Sequence, residues 1–160
     1  MIRTASTALA IALAGLAIAW PATGPSAQQA GHQQQAQPAA ADKRQPAPRG
    51  ATVYFHYPLD GLSVPERFTV RMGLKEMGVA PAGTDRPLTG HHHLLIDVDP
   101  GPSDQPIPSD YNHIHLGNGQ TEVVVTLPKG PHTLQLVLGD HAHVPHAPPV
   151  MSKKIRIYVR

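Results

Sequence analysis

The fold is decided by a nine-residue stretch, GHHHLLIDV, at residues 90–98. Alternating residues on one side of it are mostly apolar, which predicts a β-strand. The apolar face carries His92, Leu94, Ile96 and Val98. The other face carries His91, His93, Leu95 and Asp97. Because successive side chains of a strand point to opposite faces, His92 is expected in the core as a hydrogen-bonded structural residue, apart from its two neighbours.

Six further segments alternate in the same way and are separated by proline- and glycine-rich turns. They are residues 51–57, 68–74, 113–116, 121–127, 132–138 and 155–159. Seven short strands without a helical pattern predict a single antiparallel, immunoglobulin-like β-sandwich. Asn118-Gly119 predicts a two-residue hairpin turn, which would place His115 opposite Glu122 and His113 opposite Val124.

The N-terminal part of the chain is predicted to lie outside this domain. Arg3, a charge-free apolar run and then small residues are typical of a secretory signal peptide, assigned to residues 1–27. Residues 28–50 are rich in glutamine, alanine and proline and predict a disordered linker, leaving 51–160 as the domain. The apolar run is shorter than the roughly 20 residues of a membrane-spanning helix, so we expect a periplasmic or secreted protein without a membrane span.

Composition excludes several classes of function. The chain has no cysteine, which removes a disulfide framework and a blue-copper site with its thiolate ligand. The net charge is only +2, and Lys153-Lys154 is the one basic pair of the folded part. Nucleic acid and anionic membrane surfaces are therefore not expected as partners.

Histidine is the residue type that points to function, with 11 in the chain. Imidazole is the commonest protein ligand of transition metals. The candidate ligands are His91, His93, His113, His115, His141, His143 and His146. If the strands reverse direction in turn, the three connections that carry these residues open at the same end of the sandwich.

Sheet membership ranks the candidates. In an immunoglobulin arrangement the third, sixth and seventh strands share a sheet, and the fourth and fifth lie in the other. His113 and His115 therefore rank below the other five candidates. His143 and His146 would stand about 9 Å apart in an extended proline-rich loop, so the loop bends or the two serve different sites.

Three functions remain open. The first is binding of Cu(II) or Zn(II) for storage, buffering or delivery, with Asp97, Glu122 or Asp140 as a further ligand or as support for an imidazole. The second is a structural module whose histidines form a hydrogen-bond network or contact a periplasmic protein partner. The third is a copper- or zinc-dependent redox enzyme; a histidine-brace version would need His32 at the mature N-terminus. The residues indicate no other catalytic constellation, so an enzyme is not the favoured reading.

Several longer motifs resemble a known family. They are GHHHLLID at 90–97, HIHLG at 113–117 with QTE at 120–122, HTLQLVLGDHAHVPH at 132–146 with PPVMS at 148–152, and MGVAPAG at 77–83. Together they resemble the bacterial exported domain-of-unknown-function family 4399. The resemblance implies an exported single-domain β protein with these histidine-rich segments as its signature, and it implies no activity.

Overall fold

The computed structural model describes residues 43–160, and the predicted signal peptide, most of the predicted linker and His32 lie outside this range. All regular elements within it are β-strands. They are β1 (Thr52–Tyr57), β2 (Ser63–Val64), β3 (Arg67–Lys75), β4 (Gly78–Val79), β5 (Thr89–Ile96), β6 (His113–His115), β7 (Glu122–Thr126), β8 (Gly130–Gly139) and β9 (Ile155–Val159). Residues 43–160 contain no helix long and apolar enough to cross a membrane.

The strands form two sheets, as expected for a β-sandwich. The smaller sheet has the order β1-β3-β7, and the larger has the order β2-β9-β8-β5-β4, with β6 also paired to β5. A hydrophobic core joins them: Val70 and Met72 of the small sheet cluster with Leu94 and Leu136 of the large one. The all-β prediction is therefore confirmed.

Two details of the predicted sandwich are wrong. Residues 43–160 contain nine strands instead of seven, because the two-residue strands β2 and β4 had no alternation to reveal them. Both of these pair in parallel, β2 with β9 and β4 with β5, so the large sheet is mixed and not purely antiparallel. Such short edge strands depend on a neighbour's free hydrogen-bonding groups, which local sequence does not encode.

The predicted hairpin at Asn118-Gly119 is also wrong in its pairing. A turn is present, with Gly119 at φ 75°, but the chain crosses there from one sheet to the other. His115 pairs with His93 of β5, whereas Glu122 pairs with Arg71 of β3. The two strands beside the turn separate because β6 pairs with the free edge of β5 and β7 pairs with the free edge of β3.

The end of the predicted linker contacts the domain. Ala47 N donates to Ala147 O at 2.9 Å, and Ala147 N donates to Gln45 O at 2.9 Å. The Arg44 side chain also donates to the Ser103 hydroxyl at 3.0 Å. Residues 44–47 are therefore bonded to the long connections that follow β8 and β5.

Candidate metal centre

Strand β5 supplies two histidines to the outer face of the large sheet. Leu94 and Ile96 lie in the core, so the alternation of the strand turns His91 and His93 to the other side. Both imidazoles are nevertheless completely buried, with 0% of their surface exposed. Loops fold over this outer face and cover them.

Strand β6 brings a third histidine alongside. The β5–β6 register pairs His93 with His115 and Leu95 with His113. Paired residues of neighbouring strands point to the same face, so His115 joins His93 on the outer side. The two rings stack with centroids 5.1 Å apart, and the His115 ring lies 5.0 Å from that of His91.

The loop after β8 brings the fourth histidine over this face. One Asp140 carboxylate oxygen accepts hydrogen bonds from the backbone N–H groups of Ala142 at 2.8 Å and Val144 at 2.9 Å. Asp140 N also donates to Val144 O at 2.9 Å, which closes a tight turn. Within it His143 takes a left-handed backbone with φ 68°, a conformation that needs such support in a non-glycine residue.

His143 thereby meets the other three rings. Its ring centroid lies 4.7 Å from that of His115, 5.0 Å from that of His91 and 5.9 Å from that of His93. Four imidazoles from three segments far apart in sequence are thus gathered on one face. We call His91, His93, His115 and His143 the histidine cluster.

The cluster contains a group of histidines that could hold a metal ion. One ligand nitrogen from each of His91, His115 and His143 lies within 4.8 Å of the others. His91 Nε2 and His93 Nε2 are 3.0 Å apart. Ligand nitrogens about 2.0–2.1 Å from one zinc ion lie roughly 3–4 Å from each other, so small ring movements bring the set onto one ion.

One unpaired nitrogen agrees with this interpretation. His91 Nδ1, His93 Nδ1 and His115 Nε2 are buried and have no hydrogen-bond partner among residues 43–160. Leaving buried polar atoms unpaired costs on the order of 1–3 kcal/mol each. Because His91 and His93 approach each other through Nε2, their unpaired Nδ1 atoms are not part of that approach, and the unpaired His115 Nε2 is the nitrogen that a cation there would satisfy.

Burial favours the neutral form of three rings of the cluster. Burial, followed by the neighbouring His115 and His143, lowers the pKa of His91 to about 4. Burial, followed by the adjacent His91 and His115, lowers the pKa of His93 to about 3. Burial and His143 likewise lower the pKa of His115. Neutral imidazole is the form that binds metals, so these rings are in the binding form at neutral pH.

Two glycines make room for the rings. A Cβ at Gly117 would lie 2.3 Å from the His115 ring, and one at Gly139 would lie 2.9 Å from His93 Nε2. Real Cβ contacts are not that short, so any side chain there would displace a cluster ring. These two glycines had no predicted role of their own; their places within the histidine-rich motifs 113–117 and 132–146 were the available signal.

The other three candidates lie outside the cluster. His141 is partly exposed, and its Nδ1 lies 3.6 Å from a carboxylate oxygen of Asp85. His146 is buried and its Nε2 contacts the Thr89 carbonyl at 3.1 Å. His113 contacts the Asp110 carboxylate through Nδ1 at 2.8 Å. His143 and His146 are therefore not brought together, and the loop bends between Asp140 and Val144.

The structure corrects the low rank that was predicted for His115. That rank followed from placing the fourth strand in the small sheet, whereas β6 pairs with β5 in the large sheet. Asp97 and Glu122 lie away from the cluster, Asp97 bonding His132 and Glu122 pairing with Arg71. Asp140 supports the turn of His143 through backbone N–H groups, which is neither of its expected roles, ligand or direct support of an imidazole.

Comparison with known proteins gives the family. Residues 70–160 match the family described as Domain of unknown function (DUF4399). The chain belongs to the DUF4399 family. This confirms the resemblance drawn from the histidine-rich motifs, and all four histidines of the cluster lie within the matched part of the DUF4399 domain.

The other comparisons do not suggest an activity for this chain. Among curated proteins, none matches the chain significantly. A solved structure, "X-ray structure of the endo-beta-1,4-mannanase from Thermotoga petrophila", is similar with 16% sequence identity and a TM-score of 0.42. The similarity covers 70% of this chain and 20% of that chain, so this chain spans about a fifth of the mannanase.

Proposed function

We propose that this DUF4399 protein is an exported metal-binding protein that holds Cu(II) or Zn(II) in the histidine cluster. The observation that supports it best is the convergence of ligand nitrogens from His91, His115 and His143 within 4.8 Å of one another. His93 Nε2, 3.0 Å from His91 Nε2, is the proposed fourth donor. An all-imidazole set without carboxylates suits these two ions, and Cu(II) binds more tightly at equal geometry.

The physiological role that fits this site is storage, buffering or delivery of the ion. Four protein donors close a tetrahedral shell, as in structural or carrier sites, whereas a catalytic zinc keeps a position open for water or substrate. Export to the periplasm or the medium is part of the proposal, supported by the signal-peptide pattern of residues 1–27.

We also propose that the sandwich is of the immunoglobulin-like class. The neighbour orders β9-β8-β5 and β1-β3-β7 support it, because the corresponding strands of that class are divided between two sheets in the same way. The placement of β6 beside β5 is a variation that matters for the site, since it brings in His115.

The test is a metal titration of the purified domain. Isothermal titration with Zn(II) and Cu(II) is expected to show one equivalent per chain. The double variant His115→Ala/His143→Ala is expected to bind at least 100-fold more weakly, because it retains two of four donors. The matched control is His141→Ala, which removes a partly exposed histidine two residues from His143.

Two results would contradict the proposal. Stoichiometric binding that is unchanged in a folded His115→Ala/His143→Ala variant would move the ion elsewhere. Equal losses in His141→Ala and in the double variant would mean that the ion is held by exposed loop histidines, not by the buried cluster. Circular dichroism of each variant establishes that the β fold is retained.

A further inference from the structure

The motif MGVAPAG at residues 77–83 contains no histidine or carboxylate side chain, and the proposed metal site does not use it. It is nevertheless anchored beside the histidine cluster. Its first part includes β4, which pairs in parallel with the start of β5, and Ala80 N donates to the carbonyl of Gly90 at 2.9 Å. Gly90 immediately precedes His91 on β5, so the motif begins next to a candidate ligand.

The motif ends in a tight turn. Thr84 N donates to the Pro81 carbonyl at 3.1 Å, which closes a β-turn over residues 81–84. Gly83, at the third position, has φ 80°, which is characteristic of a type II turn and favours glycine. A Cβ at Gly83 would meet nothing within 4 Å, so the backbone conformation and not a lack of space favours glycine there. We call residues 81–84 the bridging turn.

One central N–H group of the bridging turn is bonded to the segment of His115. Ala82 N donates at 2.8 Å to the carbonyl of Gly117, two residues after His115. The same segment packs on the bridging turn at Gly119, where a Cβ would lie 3.6 Å from Pro81 N. Strand β6 has only three residues, so it makes few ladder hydrogen bonds of its own. The contacts with the bridging turn therefore add support just after His115.

The other central N–H group is bonded to the segment of His143. Gly83 N donates at 2.9 Å to the carbonyl of His141, two residues before His143. His143 has φ 68°, so its backbone conformation depends on the bonds that hold the loop around it. The other two cluster residues, His91 and His93, lie on β5 and are held by the pairing of β5 with β8. The bridging turn thus bonds the two ligand segments other than β5.

We propose that the bridging turn positions His115 and His143 for the metal by holding their two segments together. The inference rests on the proposed metal site and gives the MGVAPAG motif a role in it. Ala82 and Gly83 do not touch the ion in this proposal; they act through the backbone of the ligand segments. Ligand nitrogens about 2.0–2.1 Å from one zinc ion lie roughly 3–4 Å from each other, so a shift of about 1 Å between the segments weakens binding.

Gly83 offers a test because a side chain there strains the backbone without a clash. Gly83→Val places a β-branched residue at a positive φ, which is strongly disfavoured, whereas asparagine tolerates this left-handed region. In Zn(II) titrations of the full chain, Gly83→Val is expected to weaken binding about tenfold, because the strained turn no longer holds both N–H groups in place. Gly83→Asn is expected to weaken it by less than about threefold, because it retains the turn.

Gly61 is a matched control beside β9, which is separated from β5 by β8. It is the third residue of a turn closed by Leu62 N and the Leu59 carbonyl at 3.2 Å, it has φ 77°, and a Cβ there would meet nothing within 4 Å. Its N–H also donates to a distant carbonyl, that of Arg156, at 2.7 Å. Gly61→Val should therefore lower the urea midpoint of the metal-free chain as much as Gly83→Val does, and leave Zn(II) affinity within about twofold of wild type.

The possible results separate the two proposals. Equal Zn(II) affinities of Gly83→Val and Gly61→Val would overturn the role of the bridging turn and leave the proposed metal site standing. A loss in Gly83→Asn as large as that in Gly83→Val would also overturn it. Absence of Zn(II) binding by the wild-type chain would overturn both proposals. If Gly83→Val does not fold, Gly83→Ala and Gly61→Ala make the same comparison with less strain, and the same order of affinities is expected.

Discussion

Gly117 shows how a single residue controls the histidine cluster. Replacing it by alanine would place a methyl group 2.3 Å from the His115 ring, so the ring must move away. We expect Gly117→Ala to weaken Zn(II) binding at least tenfold, measured by competition with a chromophoric chelator. The matched control is Gly101→Ala, where a Cβ meets no atom within 4 Å. Equal affinities of the two variants would show that the position of His115 is unimportant.

His132 is a residue outside the cluster with a defined pH dependence. Its Nδ1 lies 2.6 Å from an Asp97 carboxylate oxygen and its Nε2 lies 2.9 Å from the Pro128 carbonyl. Both partners only accept, so both nitrogens are protonated and the ring is cationic. Burial alone would lower the pKa of His132, but the bonds to Asp97 and Pro128 raise it above its usual value.

The sign of the effect follows from this raised pKa. The stabilisation by His132 is fully present below the unfolded-state pKa of about 6.5 and is lost as the pH rises through the higher folded-state pKa. We expect His132→Gln to lower the free energy of unfolding by about 1 kcal/mol more at pH 6 than at pH 9, a size typical of partly exposed charged pairs. Urea unfolding at both pH values measures it, with His56→Gln as control. A pH-independent loss would contradict the cationic ring.

The alternation of strand β5 places the candidate metal ligands on one face and the core-facing residues on the other. His92 lies in the core face between two cluster residues, and its Nε2 has no partner among residues 43–160. We expect His92→Leu to leave Zn(II) affinity within about threefold of wild type and to change the free energy of unfolding by only about 1 kcal/mol, because losing the 3.3 Å contact of Nδ1 with the Gln120 carbonyl is partly offset by removing the unpaired buried Nε2.

The matched substitution on the other face should behave in the opposite way. His91→Leu is expected to weaken Zn(II) binding at least 100-fold, because His91 contributes to the group of converging nitrogens. The same titration with both variants tests the assignment of faces. A loss of binding in His92→Leu as large as that in His91→Leu would mean that the core-face ring takes part in the site.

The whole molecule should be stabilised by the metal. An ion that binds only the folded state adds about 2.7 kcal/mol to the free energy of unfolding when its free concentration is 100 times the Kd. For a domain of this size we expect Tm to rise by roughly 10 °C on adding Zn(II) and to fall back on adding EDTA. Differential scanning calorimetry measures it. The His115→Ala/His143→Ala variant should show no such rise, and an equal rise would contradict the proposed site.

The all-β class, the face of each long strand and the histidine-rich segments of the candidate site could be predicted from the sequence, because these depend on local alternation and composition. Val124, for example, is exposed while Val125 is buried, as period-two alternation requires. The matching family motifs are local in the same sense. These properties need no knowledge of which strands become neighbours.

Which histidines meet depends on the packing of the strands and loops in three dimensions. His115 joins His93 because β6 pairs with β5 instead of β7, and His143 joins them because Asp140 closes a turn over the sheet. His141 and His146, in the same loop, face elsewhere. Which strands pair and which turns form depends on free strand edges and hydrogen-bonding groups that lie far apart in the sequence. The local pattern of the sequence does not show which of these edges and groups will meet. The membership of the histidine cluster therefore follows only from the tertiary structure.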